Sequence, residues 1–486
     1  MRHTVTGVSL LLMMSPLKLF KAFMLTMVLV FVLPASQVGP GLADTQERPN
    51  IVFILTDDLD TRSISVMPKL ESVLIDEGTT FENAFVTDPL CCPSRATFLR
   101  GQYSHNTKIQ GNSPPDGGHE KFQRLRLDRS TVATWLDDAG YDTVYLGKYM
   151  NGYDNTRYVP PGWDRWFGWL GNYYGSGSEY RLNENGHIRT YNQDQVHDTD
   201  LLREKAVRYI RNQKGDGRPF FMYLAPNGPH TPAYVAERHE GMFSGRPLPR
   251  PPSFNEEDIS DKPEVVKYPE LGHGEVEELG DLYRKRLAAL QSVDAMVNGV
   301  VGALQDTGQL NDTYIMFTSD NGFLIGEHRR TDKSLPYEES IKVPFIVRGP
   351  GVATQRINHL LINNDFAPTV AQLAGIAPPS FVDGESFVPL LRDEKPGLRE
   401  WRTGFLVEHV TPTYQALRMN EYTYVEWSGG AKELYYLDGD PYQLHNAFHP
   451  DQPAPPLDPT LVAGLEEQLE ALRGCEATQC RAAERD

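Results

Sequence analysis

The stretch NIVFILTDD, Asn50 to Asp58, decides the fold: an unbroken apolar run that stops on a threonine and two aspartates. A strand that is apolar on both faces belongs inside a sheet covered on both sides, which is how parallel strands of α/β proteins read. Three more segments repeat the form. Residues 143–146 run into Gly147 and Lys148, 220–224 lead through Pro226, Asn227, Gly228 and Pro229 to His230, and 314–317 run into Ser319, Asp320 and Asn321. Helical patterns cover 68–77, 131–138, 199–212 and about 276–304. Apolar strands alternating with helices predict an α/β fold with a mostly parallel sheet flanked by helices. Ligands of such sheets bind beyond the carboxyl ends of the strands. One acidic turn there means little, because Asp starts turns and caps helices. Four strand ends carrying Asp, Lys, His and Asp-Asn predict a single site.

Composition narrows the function classes. The chain has 486 residues, 40% hydrophobic and 23% charged, the balance of a globular protein with a large core. Disorder, collagen and a disulfide scaffold are excluded. Lys and Arg number 47 against 65 Asp and Glu, a net charge of −18 that repels phosphate backbones and excludes nucleic acid as a partner. An anionic substrate needs a local cluster of cations working against this field.

Arg2, Lys18 and Lys21 precede an apolar run at 22–33, and Gly41, Leu42 and Ala43 form a small-residue cleavage site. This is the layout of a signal peptide over 1–43. The run is short of the ~20 apolar residues a bilayer span needs, so the expectation is a secreted or extracytoplasmic protein with no stable membrane span after cleavage. In that oxidising compartment Cys475 and Cys480 are placed to close a small disulfide loop. Adjacent Cys91 and Cys92 pair only through a strained peptide, so they need another role.

The predicted layout is a catalytic domain over 44–378 and a smaller C-terminal α+β domain over 379–486. In the latter, strands are expected at 405–408, 414–418, 422–427 and 433–437, then a helix at 459–472. Residues 149–180 hold Trp163, Trp166 and Trp169 in a Tyr- and Gly-rich insertion, either a sugar-stacking surface or a satellite core. Residues 241–274, rich in Pro and Glu, read as a long surface loop.

The most specific string is LCCPSRATFLRG, residues 90–101. A plain reading makes Cys91 a buried apolar residue and Pro93 and Ser94 the start of a helix. Cys91, Pro93, Ser94 and Arg95 together, however, resemble the Cys-x-Pro-Ser-Arg motif of the type I sulfatases, with Cys92 in the variable position. The resemblance implies an alkaline-phosphatase-like fold and oxidation of Cys91 to formylglycine by a formylglycine-generating enzyme. That aldehyde hydrates to a diol. A serine nucleophile would end as a stable sulfate ester, whereas a diol keeps a second hydroxyl whose collapse expels sulfate.

The resemblance also implies the ligand set of a divalent cation: Asp57, Asp58, Asp320 and Asn321, completed by the oxygen derived from Cys91. Oxygen donors suit Ca²⁺, with Mg²⁺ as the alternative, and the absence of neighbouring His or Cys donors argues against zinc. Lys148 in LGKY, His230 in GPHTP and Lys333 in TDKS match the family's cationic and proton-transfer positions. Arg95 is expected to hold the diolate, Lys148 and Lys333 to bind sulfate oxygens, Lys333 and His230 to protonate the leaving alcohol, and Asp320 to act as base for attack. Many sulfatases carry His where this chain has Met150, which leaves His105, Asn151 and His328 as candidates for the base in sulfate release.

The resemblance spans about 48–446. CCPSR, GKYMNGY and ELYYLDGDPYQLHN look closest to the N-acetylglucosamine-6-sulfatase and heparan endosulfatase branch, which implies a 6-O-sulfated amino sugar among sulfated carbohydrates and other sulfate esters. Two rivals stand beside this reading: a phosphate or phosphonate ester hydrolase with the same nucleophile, and an inactive sulfated-glycan binding protein. A two-zinc phosphatase would need further His and Asp ligands where the chain offers Asn321.

Overall fold

The computed structural model describes residues 48–154, 156–171, 178–213, 217–393, 395–451 and 455–485. The expected signal peptide lies outside the described residues. The main sheet has ten strands: β1 (Asn50–Thr56), β2 (Thr79–Phe81), β3 (Asp142–Gly147), β4 (Arg165–Leu170), β5 (Glu179–Glu184), β6 (His187–Asn192), β7 (Phe220–Ala225), β8 (Thr313–Ser319), β9 (Phe345–Arg348) and β10 (Gln355–Ile357). Their order is β10-β2-β9-β8-β1-β7-β3-β4-β5-β6. The four strands read from the sequence are the adjacent central ones, β8-β1-β7-β3, all parallel. Antiparallel pairing enters only toward the edges, at β9 and β5.

Alternate residues of β1 explain why its run is apolar throughout. Ile51, Phe53 and Leu55 face helices α1 (Cys91–Arg100), α2 (Val132–Asp138) and α5 (Phe366–Leu373), with Phe53 stacked on Phe366 at 3.8 Å. Val52 and Ile54 face α3 (Asp198–Asn212) and α4 (His273–Asp306). Each such side chain contributes about 1.5–3 kcal/mol by leaving water. Helix α4 is long and apolar enough to cross a membrane, but 78% of its apolar window is buried within the fold, as in a core helix.

The expected helix at 68–77 is α-helical only over Pro68–Leu70. It then widens over Glu71–Ile75, where the Asp76 N–H reaches back five residues to the Glu71 carbonyl at 2.9 Å. The tryptophans of the aromatic insertion are interior, not a platform: Trp166 is fully buried, Trp163 and Trp169 are nearly so, and Tyr145 stacks between Trp166 and Tyr223; residues 172–177 of the insertion lie outside the described residues. The 241–274 segment is irregular yet pinned, because buried Lys262 donates to the Gln443 carbonyl at 2.9 Å.

The second, antiparallel sheet consists of β11 (Gly404–Val410), β12 (Thr413–Met419), β13 (Tyr422–Trp427) and β14 (Lys432–Tyr436), in that order. Helix α6 (Pro459–Arg473) packs on it, capped by Asp458, which accepts from the Thr460 N–H at 2.8 Å. Its core merges with Phe85, Tyr103 and Tyr337 of the larger region, and residues 47–486 form one compact unit. Cys475 and Cys480 are joined by a disulfide, and Cys91 and Cys92 are free thiols.

Candidate active site

Strand register begins the site. β1 and β8 pair along their whole lengths, ending with Thr56 opposite Ser319, so Asp57 and Asp320 leave the sheet side by side. β3 and β7 end on the pair Gly147 and Ala225. Gly147 has φ +110°, and a Cβ there would meet the Ala225 carbonyl oxygen at 1.9 Å, so only glycine lets the chain turn to place Lys148. Helix α1 starts at Cys91 and ends at Gly101 in the left-handed conformation that glycine favours. Its N-terminus, the positive end of the helix dipole, thus carries the Cys91 thiol into the space beyond the strands.

There the Cys91 Sγ lies 3.8 Å from Asp57 Oδ1 and accepts from Lys333 Nζ at 3.3 Å. Lys333 also donates to Asp58. Lys148 Nζ donates to Asp57 Oδ2 at 2.5 Å, and His230 Nε2 is 3.4 Å from Asp58 Oδ2. Arg95 Nε donates to Asp320 Oδ2 at 2.8 Å and its Nη1 to the Lys148 carbonyl at 2.6 Å. Asn321 Nδ2 donates to Asp58 Oδ1 at 2.8 Å. Asp57, Asp58, Cys91, Arg95, Lys148, His230, Asp320, Asn321 and Lys333 are therefore gathered in one cluster, whereas Ser94 of the same motif pairs with Asn363. Asp57, Asp58, Cys91, Arg95, Asp320 and Asn321 form its dry floor, while Lys148 and His230 keep side-chain exposures of 13% and 15% and border the opening.

The electrostatics follow from this crowding. Burial opposes the charge of Asp57, but Lys148, His230, Arg95 and Lys333 outweigh it and hold the carboxyl far below the usual range. Asp58 is likewise lowered against its burial, by His230 and Lys333. Asp320 goes the other way, to about 6, through burial and the neighbouring charge of Asp57. Burial pushes the Cys91 thiol up to about 11, so the encoded cysteine is neutral and poorly nucleophilic near neutral pH. Burial also lowers His230.

Within this cluster, two buried atoms of the described residues have no hydrogen-bond partner: Asn321 Oδ1 and Arg95 Nη2, the latter 3.8 Å from Asp57 Oδ1. An orphaned carbonyl oxygen beside three carboxylates fits a hard dication. Contrary to the expected absence of His and Cys donors, folding brings Cys91 and His230 within 4.8 Å of the Asp57 and Asp58 oxygens.

Of the candidates for the missing proton acceptor, Asn151 lies beside Cys92, its N–H directed at that sulfur at 3.1 Å. His105 and His328 are committed elsewhere, to Glu408 at 2.9 Å and Glu256 at 2.8 Å, and Met150 is in the core. Sequence reading missed Asn112, whose Oδ1 accepts the Cys92 N–H at 2.9 Å, Asn363, which donates to Ser94 Oγ at 3.0 Å, and the fully buried Arg286. Asn112 and Arg286 stand at no strand end, and Asn363 follows a strand of only two residues, Leu361–Ile362, so nothing in the string marked them.

Comparison with known proteins adds the following. The sulfatase family signature matches residues 49–376, and that of the N-sulphoglucosamine sulphohydrolase C-terminal region matches 326–474. An extracellular sulfatase homologue of Drosophila melanogaster is 35% identical over 75% of this chain, which spans only 33% of that relative's length. The N-acetylglucosamine-6-sulfatase of Homo sapiens is 31% identical over 91% of this chain and 87% of its own. A protein solved in complex with its substrate D-glucosamine-2-N,6-O-disulfate aligns with a TM-score of 0.73 at 23% identity, covering 90% of this chain and all of that one.

Proposed function

This chain belongs to the sulfatase family, and from that premise we propose that it hydrolyses sulfate monoesters of sugars, releasing an alcohol and inorganic sulfate. The observation that carries the reading is the position of Cys91, at a helix N-terminus and within 3.3 Å of Lys333 in a cluster of three carboxylates and three cations. Cys91 is buried in the folded protein, so its conversion to formylglycine by a dedicated enzyme takes place before the fold closes over it. When present, the hydrated aldehyde supplies one hydroxyl to attack sulfur and a second whose collapse frees sulfate. A bound Ca²⁺, or Mg²⁺, supplies charge that stabilises the attacking hydroxyl and the sulfate oxygens; Asp57, Asp58, Asp320 and Asn321 are the residues to hold it.

The remaining steps fall to the chain's own side chains. Lys148 and Lys333 would bind the sulfate oxygens through their ammonium groups. Arg95 holds the nucleophile's oxygen from the floor. Asp320 accepts the proton in attack, and His230 and Lys333 protonate the departing alcohol. The substrate class follows the relatives: we assign a 6-O-sulfated amino sugar, on the likeness to N-acetylglucosamine-6-sulfatases. The disulfide of Cys475 and Cys480 supports an extracytoplasmic location, and we retain a division into catalytic and C-terminal domains near residue 378.

A liberated-sulfate assay across sulfated mono- and oligosaccharides tests the reading. Release from 6-O-sulfated N-acetylglucosamine above all other positions is expected. Faster turnover of a matched aryl phosphate than of the aryl sulfate would move the chain to the phosphate ester hydrolases. Glycan binding without any sulfate release would make it a binding protein.

A further inference from the structure

Arg286 is fully buried near the middle of α4, and nothing in the reaction proposed above uses it. Its guanidinium spans two loops that leave different strands. Nη2 donates to the backbone carbonyl of Asp58, after β1, and Nη1 to that of Pro229, after β7 and next to His230, at 3.3 Å. Asp60 Oδ2 lies 3.5 Å away and is itself fixed by Ser63 Oγ at 2.7 Å, and the guanidinium plane sits 4.2 Å from the Phe323 ring centre. Asp58 is in the left-handed region at φ 64°, a conformation an L-residue holds only when its surroundings impose it. The Arg286 bond to its carbonyl and the bond from its N–H to Asp320 Oδ1 at 3.1 Å are what impose it. The Asp58 carboxylate, so aimed, meets Lys333, Asn321 and His230 at once.

We propose that Arg286 is a positioning residue that locks the metal ligand Asp58 and the proton donor His230 in one geometry, by holding the backbone carbonyls of Asp58 and Pro229 in a single fork. This inference rests on the proposed roles of Asp58 and His230. Lysine keeps the charge but has no planar fork, so it cannot hold both carbonyls with the same directionality.

The test uses formylglycine-bearing full-length protein and compares wild type, Arg286→Lys and Arg402→Met. Arg402 is a second fully buried arginine, paired with Asp365 and Glu484 away from the cleft. The readouts are Ca²⁺ affinity by calorimetry, melting temperature, and kcat and KM on a sulfated monosaccharide. Arg286→Lys is expected to weaken Ca²⁺ by about tenfold or more and to lower kcat more than it raises KM. Arg402→Met is expected to lower the melting temperature while leaving Ca²⁺ affinity within about twofold of wild type. If Arg286→Lys keeps both Ca²⁺ affinity and kcat, the positioning role is wrong. If Arg286→Lys does not fold, Asp60→Asn, which removes the charge steadying the fork, must weaken Ca²⁺ in the same direction, and unchanged affinity there refutes the proposal. A wild type that neither binds Ca²⁺ nor releases sulfate refutes the reading of the site itself, which separates the two failures.

Discussion

Two of the buried ionic clusters among the described residues are finished differently. Where the main sheet meets the C-terminal one, Arg402 forks onto Asp365 at 2.7 and 2.9 Å and sends Nε to Glu484 at 2.8 Å, while the Tyr103 hydroxyl donates to the same Glu484 at 2.6 Å. Every nitrogen of that guanidinium has an acceptor. In the cleft, Arg95 makes an equally short bond to Asp320, yet its Nη2 has no hydrogen-bond acceptor and only an ion-pair contact with Asp57 Oδ1 at 3.8 Å, and Asn321 Oδ1 faces no donor. Buried polar groups are expensive to leave unmatched. A cluster that closes on itself therefore holds the structure together, and one that stays open keeps valences for something that binds.

That contrast breaks if changes in the two clusters have the same consequences. The largest effect is expected at Cys91: Cys91→Ser should lower sulfate release by about 10⁴-fold or more, the scale of losing a nucleophile, with the melting temperature near that of wild type. Next is Arg402→Met, which strands Asp365 and Glu484 in a dry interior and should cost about 3–5 kcal/mol of stability in denaturant titration, while the folded fraction keeps its kcat. Lys148→Ala should lower kcat by roughly 10²–10³-fold, about 3–4 kcal/mol, as for loss of one charge-stabilising donor; a change confined to KM would contradict the proposed contact with the reacting sulfate. Chelation should lower the melting temperature of wild type by a stability increment of about 2–3 kcal/mol, if the ion was near a hundredfold above its dissociation constant. The same treatment should move a Cys91→Ser, Asp320→Asn double variant much less.

The smallest effect sharpens the comparison at the seam. His409 and His105 each face a carboxylate and a carbonyl: Asp88 and Thr411 for one, Glu408 and Cys475 for the other. Burial disfavours their charge, but these acceptors outweigh it and raise both above the ordinary histidine value. A raised folded value means the proton is held more tightly in the fold. The stabilisation is complete below the unfolded value of about 6.5 and is lost as pH rises through the folded one. The melting temperature should therefore fall as pH rises from weakly acidic to alkaline, and His409→Gln should flatten that slope.

How much of this was legible in the string depends on what each residue's neighbours in sequence revealed. β1, β3, β7 and β8 were readable because their runs are apolar on both faces and end abruptly, and those ends carry Asp57, Lys148 and Asp320. The short edge strands β2, β9 and β10 hold only three or four residues each, too few to establish a period. Residues 179–192 form an antiparallel pair whose outer strand β6 is largely exposed, so it carries little apolar signal. Arg286 reads as one more polar position on an amphipathic helix; only the three-dimensional fold turns it inward. Trp163 and Trp166 fit a sugar platform and a core equally well as letters, and packing against Tyr145 and Phe221 decides for the core.

Peptide mass analysis of active, full-length protein tests the central claim most directly, read on the fragment containing Cys91 to Arg95. An aldehyde at position 91 in proportion to specific activity is the predicted result. Fully active protein carrying an unaltered thiol at that position would contradict the account.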